Sequence, residues 1–180
     1  SGSSVEKAYL YWSFLDNGFV PSERGVTFNG TPIIGTEIGS GPDTCWSRQN
    51  SRTFRADVTA LVGGNGVYAL SNVANAAPLL AQGASLVVIY KNSAVTERTI
   101  VINNGNGVID VDTANLSTTI GGFTAAISAG VLSAKTTFIV GDGQSFTDTV
   151  SFTGGNGTFI ANDTLDGSDG GLWDTDTYNV

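Results

Sequence analysis

Short runs of apolar and β-branched residues recur from the start of the chain to about position 160, and glycine- or asparagine-containing turns separate most of them. Residues 9–14 are rich in aromatic side chains, which suit the pleated surface of a strand. Over residues 53–62 apolar and polar positions partly alternate, the pattern of a half-buried strand. The Asn65-Gly66 step then supplies the positive φ angles that a tight hairpin requires. This pattern predicts antiparallel strands joined by tight turns.

The most apolar part of the chain lies in its middle. Residues 84–90 are nearly continuously apolar and β-branched, which predicts a central strand covered on both faces. A further strand is predicted at 99–102, and the best helix candidates, 73–80 and 125–132, are short and poorly capped. We therefore predict an all-β fold, a two-sheet antiparallel β-sandwich that is jelly-roll-like and has at most one or two short helices.

The chain has the length and the apolar content of one domain. It has 180 residues, of which 41% are hydrophobic, enough to build a sizeable core. Residues 1–4 read as a linker or an expression remnant, and residues 5–180 are predicted to form a single β-sandwich domain. Because no apolar run approaches the roughly 18 residues of a membrane span, we expect no membrane insertion.

The charge balance and the composition narrow the range of possible binding partners and chemistries. Sixteen acidic against eight basic residues give a formal net charge of −8, which repels phosphate backbones and anionic lipids and disfavours nucleic acid as a partner. The absence of histidine from the sequence removes Ser-His-Asp and Cys-His catalysis and imidazole-ligated zinc. A chain rich in Gly, Thr, Asn and Asp with a single cysteine is typical of exported bacterial proteins, so we expect it to be secreted or on the bacterial cell surface.

Residues 162–176 are the most informative stretch, because five aspartates and one asparagine share a glycine-bearing segment. Crowded carboxylates repel one another unless they are solvated or bridged by a cation, and calcium takes six to eight oxygen ligands. We therefore predict a calcium site there, with smaller acidic groups elsewhere in the chain. The candidate ligands are Asp163, Asp166, Asp169, Asp174 and Asp176 in this segment, and Asp142, Asp110 and Asp112 outside it. The alternative is a solvated acidic loop.

Two further residues are candidates for ligand binding. Trp173 lies among aspartates and glycines, and an aromatic side chain beside a calcium loop is a recurring way to hold a polar ligand. Arg48 suits a carboxylate on a ligand. The alternatives are that the aromatic residues belong to the core and that the arginines pair with the excess acid.

A covalent and a catalytic alternative also stay open. Cys45 is either a small apolar residue of the core or one half of an internal thioester with a glutamine such as Gln49, Gln82 or Gln144. Paired aspartates also occur in glycosidases, whose two carboxyl groups lie about 5–9.5 Å apart. Because the sequence does not fix such a separation, we predict that the protein is not an enzyme.

Five stretches, residues 8–12, 54–59, 83–90, 141–143 and 172–177, together resemble β-sandwich modules of large bacterial cell-surface and adhesin-like proteins. Such modules often precede strings of immunoglobulin-like repeats. The resemblance implies export, a place in a larger multidomain chain, and an adhesive or ligand-binding role. The chain is also similar to calcium-dependent peptide- or sugar-binding modules of bacterial adhesins. These families imply no particular binding residue.

The leading hypothesis is a non-catalytic, calcium-stabilised adhesin module that binds a glycan or a peptide on a host or neighbouring cell. One alternative is a purely structural spacer or stalk domain of a surface protein. The other is a covalent adhesin that uses a thioester at Cys45. An exposed Trp173 favours the first hypothesis, and a fully packed set of aromatic residues favours the spacer.

Overall fold

The structure is a computed structural model that divides into two compact units, residues Ser1–Phe123 and Thr124–Val180. It describes residues 2–43, 45–109, 115–123, 133–141, 148–154, 157–162, 164–167 and 172–180. The predicted all-β, sandwich-like fold is confirmed, because the described strands form antiparallel sheets and the helical turns among them are two short 3-10 turns, Pro21–Arg24 and Thr59–Leu61. Within these ranges no helix is long and apolar enough to cross a membrane.

The amino-terminal unit carries two antiparallel sheets. Its strands are β1 (Ser3–Asp16), β2 (Gly25–Phe28), β3 (Thr31–Ile34), β4 (Thr36–Pro42), β5 (Asn50–Asp57), β6 (Leu70–Ser71) and β7 (Leu80–Asn92). Four of them form a larger sheet in the order β4-β5-β1-β7, and the other three form a small sheet in the order β3-β2-β6. Residues 3 and 4, which the sequence assigns to a linker, are the first residues of β1.

Alternate residues of β1 build the core between these two sheets, as the two-residue period of a strand requires. The buried cluster draws on both sheets and on the turn after β5, and consists of Ala8, Leu10, Trp12, Phe14, Val26, Phe28, Phe54, Ala56, Val58 and Val62. The rings of Trp12 and Phe54 stack with centroids 6.0 Å apart. Glycine is required at position 35, because a Cβ there would overlap the buried Trp12 ring.

The position of β7 differs from the sequence prediction. The run 84–90 is predicted to lie in the middle of a sheet, but β7 ends the order of the four-stranded sheet, in which β1 and β5 are the inner strands. Residues 99–102 form no strand and residues 73–79 form no helix. The second helix candidate, 125–132, lies outside the described residues.

Residues 96–109 have no regular secondary structure, and part of this segment lies on the outer face of the larger sheet. The Tyr11 hydroxyl donates to Asn104 Oδ1 at 2.8 Å, which fixes the segment to β1. Asn106 Nδ2 donates to the hydroxyls of Ser51 and Thr53 on β5 at 3.0 and 2.9 Å. These side-chain hydrogen bonds therefore attach the segment to β1 and β5.

The carboxy-terminal unit contains two antiparallel strand pairs. Its described strands are β8 (Lys135–Gly141), β9 (Thr149–Gly154), β10 (Gly157–Asn162) and β11 (Trp173–Asn179), with β8 paired to β11 and β9 to β10. Tyr178 joins the two pairs, because its ring centroid lies 6.2 Å from that of Phe138 on β8 and 5.1 Å from that of Phe159 on β10.

Candidate ligand-binding groove

A groove of about 680 Å³ opens at the end of the amino-terminal unit where β1 begins and β7 ends. Its volume lies within the roughly 300–1,000 Å³ of pockets that hold small ligands. Three stretches that are distant in sequence line it. The lining residues are Ser3, Ser4, Val5, Gly64, Asn65, Leu86, Val88, Tyr90 and Asn92.

The floor of the groove, Leu86, Val88 and Tyr90 with Val5, continues the core face of the sheet. Leu86 pairs with Leu10 and Val88 pairs with Ala8 in the β1–β7 ladder, so they face the same way as these core residues. Tyr90 lies two residues further along and points in the same direction. Exposure rises toward the end of the strand, from half-buried Leu86 to 37% for Val88 and 62% for Tyr90. The floor therefore runs from the core to an exposed aromatic ring.

Tyr68 holds the wall of the groove, Gly64 and Asn65, against the core. Its ring stacks on Phe28 with centroids 5.7 Å apart and planes 2° from parallel. Its hydroxyl donates to the Gly64 carbonyl and accepts the Gly64 N–H at 3.2 Å. Gly64 has φ +140°, a backbone conformation that favours glycine. The wall is thus attached to a buried aromatic residue and has a defined shape.

The polar rim of the groove is preorganised by a bond between its two strands. Asn92 Nδ2 on β7 donates to the Ser3 hydroxyl on β1 at 2.9 Å. Asn92 Oδ1 accepts the Ala94 N–H at 2.8 Å, which fixes the amide orientation. Because the Ser3 oxygen accepts from Asn92, the hydroxyl hydrogen of Ser3 can still donate to a ligand.

Sequence reasoning does not find this groove, because it places residues 84–90 inside a sheet. The one signal present is the composition of the strand end, where a tyrosine follows an aliphatic run and precedes Lys91 and Asn92. That order is typical of a strand that leaves the core. The other lining residues come from positions 3–5 and 64–65, and only the fold brings them to the same place.

Two aspartates of the carboxy-terminal unit accept hydrogen bonds from backbone N–H groups. Asp148 accepts the N–H groups of Thr164 and Leu165, each at 3.1 Å. Asp174, which is fully buried, accepts the Gly167 N–H at 2.8 Å. Both carboxylates therefore shape the segment that the sequence predicts to bind calcium.

Of the other predicted calcium ligands, two belong to the residues that the structure describes. Asp166 is exposed and Asp176 is half-buried. The remaining ones, Asp163, Asp169, Asp142, Asp110 and Asp112, lie outside the described residues. Within the described ranges no three carboxylates or thiols are close enough together to hold a metal ion. The calcium site therefore stays a prediction.

The two predicted ligand-binding residues differ in their surroundings. Trp173 begins β11 and is only 8% exposed, so its ring belongs to the packed interior of its unit. Arg48 is half-buried in the loop between β4 and β5. Asp43 shapes that loop, because its carboxylate accepts the N–H groups of Cys45, Trp46 and Arg48 at 3.1, 3.2 and 2.7 Å.

Cys45 is a free, exposed cysteine and not the core residue that one interpretation of the sequence expects. Gln49 lies four residues further along the same loop. Gln82 is buried on β7, and Gln144 lies outside the described residues. The thioester hypothesis therefore keeps an accessible thiol and stays a prediction.

A buried ion pair lies near the far end of β1. Asp16, which is fully buried, accepts from Arg52 Nε at 2.7 Å, from Asn50 Nδ2 at 3.0 Å and from the Gly18 N–H at 2.6 Å. Arg52 also pairs with Glu37 at 3.2 Å. Through Asp16, these bonds attach the loop that follows β1 to strand β5. Hydrogen bonds to a charged carboxylate are stronger than those between neutral groups.

Glu23 is buried beside this pair. Its Oε1 accepts the Val20 N–H at 2.8 Å, and its Oε2 is buried without a hydrogen-bond partner among the residues that the structure describes. Burial raises the pKa of Glu23, the nearby carboxylates of Asp16 and Glu37 raise it further, and the Val20 N–H and Arg52 partly oppose them. Ionisation of Glu23 is therefore less favourable in the folded protein than in water.

Comparison with known proteins identifies a matching family. The model of the family described as "Protein of unknown function (DUF3344)" matches residues 1–180. A search of curated proteins and a search of solved structures gave no match.

Proposed function

The chain belongs to the DUF3344 family, and we propose that it is a non-catalytic, extracellular ligand-binding module of an adhesin-like surface protein. One observation carries the proposal: the groove whose floor extends the core face of the β1–β7 pair to the exposed ring of Tyr90. An apolar floor with a few fixed polar groups is the general character of a ligand site in a protein. A glycan or a peptide on a host or neighbouring cell is the proposed ligand.

The anchoring of the groove supports binding more than a spacer role. The wall is attached to buried Phe28 through Tyr68, and the Ser3–Asn92 bond fixes the rim. A preformed site loses less conformational entropy when a ligand binds than a flexible one. Affinity at a single groove of this size is expected to be modest, and a surface protein raises its avidity by presenting several modules.

The proposal is tested by screening the fluorescently labelled protein on arrays of glycans and of peptides. The informative variant is Val88→Glu, which puts a charge on the floor at a position 37% exposed. Its matched control is Ile139→Glu, because Ile139 is a β-branched strand residue, 38% exposed, in the other unit. We expect Val88→Glu to abolish the signals and Ile139→Glu to keep them. Equal signals from both variants would show that the groove is not the site.

Calcium is part of the same proposal, as a stabiliser of the acidic segment 162–176. Support comes from the five aspartates of this segment, from the net charge of −8 and from the exposure of Asp166. Carboxylate oxygens are the preferred ligands of calcium. The cation would keep the segment in shape and would not act in catalysis.

A structural spacer is the second candidate function, and two observations favour it. Trp173 is packed and 8% exposed, although an exposed ring is what the adhesin hypothesis expects at that position. Asp148 and Asp174 serve internal hydrogen bonds. If both array screens give no signal and the stability of the protein does not change with any ligand, the spacer function is the better account.

A further inference from the structure

We propose that the groove binds a neutral saccharide, with Tyr90 as the stacking residue and the rim of Ser3, Asn65 and Asn92 as its hydroxyl- and amide-bearing partners. This inference rests on the proposed function and names the class of ligand for the same site. Four observations lead to it: the charge of the lining, its mixture of polar and apolar groups, the exposed ring, and the fixed rim.

The charge of the lining excludes one group of ligands. All nine described residues that line the groove are uncharged, and the chain carries a formal net charge of −8. An anionic ligand such as a sulfated or sialylated glycan would find no cation among the described lining residues and would be repelled by the protein as a whole. A cationic ligand would lose part of its hydration and gain no carboxylate partner in the groove. The ligand is therefore neutral.

The mixture of groups excludes a purely apolar ligand. The apolar floor of Val5, Leu86 and Val88 lies next to hydroxyl and amide groups from positions 3, 4, 65 and 92. A lipid chain would cover these polar groups and leave their hydrogen bonds unmade, which costs free energy. A pyranose ring offers both surfaces, because its C–H face is apolar and its edge carries hydroxyls. Amide side chains both donate and accept, as hydroxyl partners require.

Tyr90 supplies the surface for the apolar face of the sugar. It is 62% exposed and lies at the open end of the floor, where a ring can pack on it without moving the backbone. An aromatic side chain with two rotatable bonds provides a large contact area at a low cost in conformational entropy. Ser3 lies at the same end of the groove, with its hydrogen free to donate while its oxygen accepts from Asn92.

The test is a titration of the whole chain with glycans from an array that pairs neutral oligosaccharides with their sulfated and sialylated counterparts, and with a peptide array as a separate arm. Affinities for the hits are measured by calorimetry. We expect neutral glycans to bind and their anionic counterparts to bind at least about tenfold more weakly. Tyr90→Ala should weaken binding about tenfold or more, whereas Tyr90→Phe, which keeps the ring, should stay within about threefold.

The matched control is Phe19→Ala, since Phe19 is an aromatic residue 43% exposed that follows the opposite end of β1. It should leave the affinity unchanged. Tyr90-dependent binding of peptides without glycans would overturn the saccharide class and leave the binding module standing. Equal binding of neutral and sulfated glycans would overturn the neutral class. Absence of binding in both arms would overturn both proposals.

Discussion

Tyr68 and Phe28 form a nearly parallel stack, with ring centroids 5.7 Å apart, that links the surface of the amino-terminal unit to its core. Phe28 is 2% exposed in the small sheet, and Tyr68 lies in the loop that forms the wall of the groove. The same tyrosine makes two hydrogen bonds to Gly64 through its hydroxyl. The contribution of the ring and that of the hydroxyl can therefore be separated by substitution.

Tyr68→Phe should keep the stack and loosen the wall. It removes the two hydrogen bonds to Gly64, and a hydrogen bond typically contributes about 1 kcal/mol to stability. Because both bonds are exposed, we expect their combined loss to lower the free energy of unfolding by about 1 kcal/mol, and amide hydrogen exchange of residues 64–66 to accelerate. Denaturant titration and exchange measured by NMR check both effects. Tyr68→Ala, which also removes the stack, should lose clearly more stability; equal losses would contradict the role given to the ring.

Asp16→Asn should be among the most destabilising polar substitutions in the chain. It leaves Arg52 with Glu37 alone and removes a fully buried charge partner, and breaking a buried ion pair from one side costs about 3 kcal/mol or more. Glu37→Gln is the matched control, because it breaks the more exposed half of the same network and should cost about 1 kcal/mol or less. Thermal unfolding of both variants checks the difference, and a Glu37 effect as large as the Asp16 effect would contradict the assignment.

The buried carboxyl of Glu23 makes stability depend on pH. Because its pKa is raised in the folded state, the contribution of the neutral carboxyl is complete below the ordinary value for glutamate and is lost as the pH rises through the raised pKa. Glu23→Gln keeps a neutral side chain of the same shape. We expect the variant to gain stability relative to the natural protein as the pH increases. A constant difference in the free energy of unfolding across the pH range would show that Glu23 has the same pKa in the folded and unfolded states.

Calcium should raise the stability of the protein selectively. A cation that binds only the folded state adds about 2.7 kcal/mol when its concentration is a hundred times Kd. We expect unfolding in millimolar calcium to occur at a higher temperature than in EDTA or in magnesium, and we expect Asp166→Asn to reduce the shift. Glu97→Gln, which removes one exposed charge from the other unit, should not change it. Identical melting in calcium and EDTA would contradict the calcium site predicted at residues 162–176.

Local pattern predicted much of the fold. The aromatic run 9–14 lies in β1, and the alternation that begins at residue 53 continues through β5. Both signals depend only on residues that are close in sequence, because the two-residue period of a strand decides which face each residue occupies. In contrast, the apolar run 84–90 does not show whether its strand lies at the edge or in the middle of the sheet. An apolar residue above a groove and one beneath a second sheet have the same sequence signature.

The candidate site could not be predicted because its parts are joined by tertiary contacts. Asn65 looks like an ordinary turn residue, and its place in the wall depends on the stack of Tyr68 on a phenylalanine 40 residues earlier. For Trp173 the sequence suggests a site residue that the structure does not expose. Its acidic neighbours in sequence suggest exposure, but its ring is buried at the start of β11. Composition reports what a segment contains and not which element packs on it.

The placement of β1 between two antiparallel partners has a mechanical consequence. Residues 9–16 are bonded to β5, and most of the strand is also bonded to β7. A tensile force along the axis of β1 therefore loads both ladders in shear, so that many hydrogen bonds must break together and not one after another. Under such a load the floor of the groove, which β1 and β7 share, keeps its shape until the whole strand yields.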